Sequence, residues 1–143
     1  MRALATFVVF TQFTLGACTS LSPAVTPGIS ADNAAVQGAF ERRAENVELT
    51  ATGVVDRVLS DQDGPSGPHE RFIVRLPDVG MTLLVEHNLS IAPRVPVVVG
   101  EPVVVHGEYV WNAQGGVVHW THSDPKGGKD SGGWIRWRDF VYR

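Results

Sequence analysis

From Val47 to Tyr142 the chain repeatedly alternates apolar and polar residues, and this period of two most restricts the folds open to it. Val47, Leu49 and Ala51 alternate with Glu48, Thr50 and Thr52. Phe72, Val74 and Leu76 alternate with Arg71, Ile73 and Arg75, and Met81, Leu83 and Val85 with Thr82, Leu84 and Glu86. In a strand, successive side chains point to opposite faces, so each segment offers one face to a shared core. A chain of 143 residues with one cysteine and a net charge of −3 is long enough for one such core. It cannot be a disulfide scaffold, and its acidic balance is unlike that of a nucleic-acid protein.

Punctuation between the alternating runs sets the expected order. Ser30 or Asp32 caps a helix running to about Ala44, with Val36, Ala39 and Phe40 on one face and Glu41, Arg42 and Arg43 on another. A long first strand follows, with Gly53 where it can bulge or bend. Asp61 to His69, with two glycines and two prolines, reads as a loop, and Pro77 to Gly80 as a hairpin turn. Asn88 to Pro96 reads as an irregular crossing, Asn112 to Gly116 as a second turn, Asp124 to Gly133 as a glycine-rich loop, and Trp134 to Tyr142 as a last strand. The expected class is mainly β: a small OB-like barrel of five or six strands preceded by one N-terminal helix, over residues 31–143. Closure would remove sheet edges that invite aggregation. An open β-sandwich is the alternative.

The amino end carries targeting information. Arg2, an apolar run from Ala3 to Leu15 and the small residues Gly16 and Ala17 have the order of a secretory signal over 1–17. That run is too short and interrupted to span a bilayer. Leu15-Gly16-Ala17-Cys18 resembles the lipobox of bacterial lipoproteins. The resemblance implies cleavage before Cys18, acyl chains on the cysteine and its new amine, and anchorage to the membrane. More than one acyl chain is needed for stable anchorage. Thr19, rather than Asp, after the cysteine implies the outer membrane, facing the periplasm. Residues 18–30, with Pro23, Pro27 and Gly28, read as a tether.

A second resemblance covers Gly53 to Tyr142. It rests on His69-Glu70-Arg71-Phe72-Ile73-Val74, His87-Asn88-Leu89, Ala92-Pro93-Arg94, Gly107-Glu108-Tyr109 and Trp111-Asn112. It continues through Gly115-Gly116-Val117-Val118-His119-Trp120-Thr121-His122, Asp124-Pro125 and Gly133-Trp134-Ile135. Together these resemble a family of small bacterial exported proteins of unknown function, which implies an OB-like barrel and no agreed activity. Histidines common in that family near Ser123, Lys129 and Trp137 are absent here, which weighs against a metal in the tail.

Two sets of side chains carry possible chemistry. His119, His122 and Asp124 are of metal-ligand type, and a catalytic zinc takes three such groups. Residues three apart on a strand diverge, however. A four-residue loop, Ala113 to Gly116, pairs Tyr109 with Trp120 and Gly107 with His122; a five-residue loop puts His106 opposite His122. Neither gathers the histidines. His87, at the parity of Met81, Leu83 and Val85, reads as a satisfied core or rim histidine, and His69 as a loop residue.

The second set is Trp134, Arg136, Arg138, Phe140 and Tyr142, which share one face of a single strand at period two. Residues 126–143 hold five basic and two acidic side chains. Guanidinium and aromatic groups stack on flat rings and hold anionic groups. The expected function is therefore an envelope-anchored domain that binds a ligand or partner, an envelope glycan or a protein, with no cofactor. Nucleic acid is disfavoured by the acidic balance. The alternative is an enzyme with one divalent metal such as zinc. It would be a metal-dependent hydrolase at His119, His122 and Asp124, or a nuclease-like protein with Asp61, Asp63, Arg71 and Arg75. The sequence has no Gly-x-Ser-x-Gly elbow or phosphate loop.

Overall fold

The computed structural model describes residues 31–127 and 131–143. The expected signal, Cys18 and the expected tether lie outside the described residues. Among these no helix is long and apolar enough to cross a membrane.

One helix, α1 (Asn33–Glu41), precedes seven strands: β1 (Glu45–Gly64), β2 (Gly67–Leu76), β3 (Met81–Asn88), β4 (Pro102–Val110), β5 (Val117–His119), β6 (Trp134–Trp137) and β7 (Phe140–Tyr142). Asp32 is the cap: its side chain accepts the Ala35 N–H at 3.0 Å. Asn33 fixes the helix to the sheet, donating to the Thr52 carbonyl at 2.8 Å and accepting the Thr52 N–H at 2.9 Å. Val36 and Ala39 are thereby buried.

The sheet closes on itself. The order β1-β2-β3-β5-β4 returns to β1, with β3 and β5 parallel (Leu84 with Val117, Val85 with Val118) and the other pairs antiparallel. This five-stranded ring is the OB-like barrel. Its inner face holds Phe72, Leu76, Leu83, Val85, Val105 and Tyr109, all essentially without exposure. Burial of each contributes about 1.5–3 kcal/mol. The helix covers the end at the β2–β3 turn. Residues 89–101 cover the other, with Val95 fully buried and its N–H bonded to Glu70.

β1 serves both sides of the ring: its first half pairs with β4 and its second with β2, and Val54 faces both Pro102 and Arg75. At the crossing, a Cβ on Gly53 would lie 2.3 Å from the Arg75 carbonyl oxygen, so only glycine allows the strands this approach.

Three expectations change. The span 61–69 is not a loop, since β1 runs to Gly64 and β2 begins at Gly67, leaving only Pro65 and Ser66 outside the strands. Two bulges, between Val55 and Arg57 and between Leu59 and Gln62, absorb the irregular sequence within this long hairpin. The β4–β5 register matches neither loop length: Tyr109 faces Val118 and Glu108 faces His119. Asn112 Oδ1 accepts the N–H groups of both Gln114 and Gly116 at 2.9 Å, holding a six-residue connection, 111–116.

The last strand is a hairpin rather than one strand. Arg138 takes a φ of 53° and the chain reverses, pairing Trp137 with Phe140 and Ile135 with Tyr142. A two-residue turn inverts parity, so Phe140 and Tyr142 share the face of Ile135 and Trp137. The predicted row splits, with Trp134 and Arg136 on the opposite face. β5 and β6 lie end to end along one edge of β4, interrupted opposite Gly107 by residues 120–133.

Candidate functional site

Outward-facing positions of the ring place polar groups in a row. Arg71 of β2 faces Glu86 of β3, His119 of β5 faces Glu108 of β4, and Glu108 faces Glu48 of β1. Cross-strand partners share a face, so this row follows from register alone.

Over it lies a groove formed by three cavities that share walls. The first, about 280 Å³, is lined by Gln62, Asp63, Ser66, His69, Glu86 and His119, among others. The second, about 110 Å³, shares Ser66, His69, Glu86 and His119 with it and adds Asn88, Ile91, Trp120 and His122. The third, about 420 Å³, meets the second at Trp120 and adds Asn46, Glu48, Glu108 and Asp124. Trp120 therefore stands between two of the cavities, at 47% exposure.

Trp120 is held there against its backbone preference. Its φ is 52°, a region that costs a bulky residue of order 1–3 kcal/mol. Its neighbour Thr121 is fully buried, with Oγ1 2.8 Å from His87 Nδ1. Gly133 packs against the Trp120 carbonyl so closely that a Cβ would lie 2.0 Å from that oxygen. Ser123 and Gly132 form a bridge across the loop base. The indole sits 5.1 Å from the His122 ring.

The histidines have assigned orientations. His87 Nε2 lies 3.1 Å from the Pro93 carbonyl, which only accepts, so this nitrogen carries the proton. Burial pushes the His87 pKa down to about 4, so the ring is neutral near pH 7 and Nδ1 accepts from the Thr121 hydroxyl. His122 is 4% exposed and donates Nδ1–H to the Ser123 carbonyl at 2.9 Å; its unbonded Nε2 presents a lone pair on the cavity side. His69 likewise donates Nδ1–H to the Gly67 carbonyl at 2.8 Å. His119 Nε2 is 3.2 Å from a Glu108 oxygen, but the N–H is not aimed at it, and this buried atom has no hydrogen bond.

The metal set named from sequence is not brought together. His119 turns to Glu108, His122 to Ser123, and Asp124 accepts the Lys126 N–H at 2.9 Å. Among the described residues no three His, Cys, Asp or Glu side chains form a group that could hold a metal ion. The strand ends at His119, and Trp120 in the left-handed region redirects the chain before His122. The residues of the nuclease-like set have other partners: Asp61 pairs with Arg94, Arg75 with Asp56, and Arg71 with Gln62 and the Ser60 carbonyl, while Asp63 lines the first cavity.

The terminal aromatic and basic residues are largely engaged locally. Trp134 stacks on buried His106 at 5.4 Å, with the Arg136 guanidinium 5.0 Å from its ring centre. Arg138 lies 4.2 Å from the Trp137 ring centre and pairs with Glu101 at 2.7 Å. Phe140 is exposed and Tyr142 half-buried.

Ring and groove define a domain of the OB-like barrel class with a polar cleft along its outer face. The family described as "Protein of unknown function (DUF3465)" matches residues 18–143, and the chain belongs to that family. No curated protein matches it. Among solved structures, a small single-stranded DNA-binding protein from Streptomyces coelicolor is similar at 21% identity and a TM-score of 0.40, over 64% of this chain and 91% of that one. Closure of the five-stranded ring by itself defines the fold.

Sequence reading missed the groove because His69, Glu86 and His119 are distant along the chain. Trp120 carried one available signal: a large aromatic residue between His119 and Thr121, just where the alternation fails.

Proposed function

We propose that this protein is an envelope-anchored binding module, held by acyl chains on Cys18, that takes an elongated glycan into the groove crossing Trp120. The carrying observation is that the three cavities adjoin through shared wall residues, with an exposed indole between the second and third. A groove of this form accepts a chain rather than a compact molecule. The indole offers a flat apolar face for a sugar ring, and OB-type barrels use this kind of face for oligosaccharides. Imidazole Nε2 atoms and carboxylates accept hydrogen bonds from hydroxyl groups. The lipobox resemblance and the tether support the location, where glycan polymers are at hand.

The test is a titration of the mature domain with soluble, uncrosslinked peptidoglycan glycan strands, followed by tryptophan fluorescence and calorimetry. Saturable binding that Trp120→Ala weakens at least tenfold, with Trp120→Phe retaining most of it, is the expected result. Absence of binding, or binding indifferent to position 120, rejects the glycan groove.

A further inference from the structure

We propose that the groove selects for positive charge, so that its ligand is a glycan bearing free amino groups; this rests on the glycan reading above.

The charges along the groove are one-sided. Five carboxylates line it: Asp63, Glu86, Glu108, Glu48 and Asp124. Among the described residues no lysine or arginine lines any of the three cavities. Arg71, the cross-strand neighbour of Glu86, is turned to Gln62 and the Ser60 carbonyl. Glu48 is bound to His106 at 2.9 Å and Glu108 faces His119 at 3.2 Å, both through imidazoles rather than fixed cations.

A second observation, independent of the carboxylates, points to a donor-rich occupant. His122 is 96% buried by the exposure given above, yet its Nε2 has no hydrogen-bond partner and faces the cavity with a lone pair. Its tautomer is fixed by the Ser123 carbonyl, so at neutral charge it can only accept. An acceptor that opens from a nearly buried ring into the cavity takes a hydrogen bond from a donor that enters there. The exposed face of Trp120 next to it attracts cations as well as sugar rings. Phosphate polymers bring only acceptors and negative charge and are repelled; an ammonium group on a sugar brings three donors and the complementary sign.

The experiment compares glucosamine oligomers with N-acetylglucosamine oligomers of equal length, at pH 7 and at low salt, by calorimetry. The amine form is expected to bind about tenfold tighter, a ratio that shrinks with added salt and in the Glu48→Gln, Glu108→Gln double variant. Both glutamates are surface residues of the folded barrel, and thermal melting checks that the variant stays folded. Equal or tighter binding of the N-acetyl form overturns charge selection and leaves the glycan reading standing. If neither oligomer binds, while peptidoglycan strands do, the amine proposal is overturned alone; if none of the three binds, both readings fall. Oligolysine binding as tightly as the amine oligomer, without dependence on Trp120, assigns the groove to a basic protein segment and overturns the proposal.

Discussion

His87 Nδ1 and Thr121 Oγ1 lie 2.8 Å apart, and neither side chain has any exposed surface. One residue belongs to the ring and the other to the segment that carries Trp120 and His122, so this bond ties the groove wall to the core. Replacing Thr121 with Val keeps the shape and removes the hydroxyl, leaving a buried imidazole nitrogen unpaired. The expected loss is about 1–3 kcal/mol in chemical denaturation, with a shifted Trp120 emission. A variant as stable as the parent would show that the bond contributes nothing.

Stability should fall with acidification through the same histidine. Its folded pKa is about 4 against the ordinary 6.5, because burial penalises the charged ring and His122 and His69 add repulsion. Below 6.5 the unfolded chain takes up a proton that the folded chain refuses. The histidine's contribution is therefore complete above 6.5 and lost as pH falls towards 4, by about 3 kcal/mol in total. Glu70 acts in the opposite sense, since burial raises its pKa and favours the folded state in acid. Denaturant midpoints from pH 7 to 4 measure the sum, and His87→Gln should flatten the fall; an unchanged slope in that variant would refute the assignment.

Gly53 tests the close approach of β1 to β2. Alanine there places a methyl group 2.3 Å from the Arg75 oxygen and 2.7 Å from Val74 Cγ1. Because backbone oxygen cannot step aside without parting β1 from β2, the expected cost is about 1–3 kcal/mol or loss of folding. Gly80, with open space about its Cβ position, sits in the β2–β3 turn at a φ of 66° and is the control for backbone strain alone. If Gly53→Ala melts at the parent temperature, the approach of the two strands is not what requires glycine at this position.

The proposed anchorage by Cys18 predicts a partition. Full-length protein expressed in a lipoprotein-processing bacterium should enter the detergent phase and label with a palmitate analogue. Cys18→Ser should stay aqueous and unlabelled. An unmodified thiol in the parent would remove the envelope location from the proposed function.

How much was legible depends on the range of the causes. A cap at Ser30 or Asp32, the apolar helix face of Val36 and Ala39 and the Pro77–Gly80 turn were all readable, because each is set by neighbours within a few residues. The one-strand reading of 134–142 failed at Arg138, where alternation continues in the sequence although the chain has turned. Parity in a hairpin depends on turn length, and nothing in the period of two reports that.

The order of polar and apolar residues thus determined a mainly β chain with one leading helix and an inner face ready to be buried, because alternation and capping are local. Tertiary structure alone decided register, the splitting of the last ladder around residues 120–133, and the meeting of His69, Glu86, His119 and Trp120 on one groove. Those outcomes come from ring closure: β3 and β5 pair across a long stretch of chain, and a shift of one residue there would send the whole row to the opposite face.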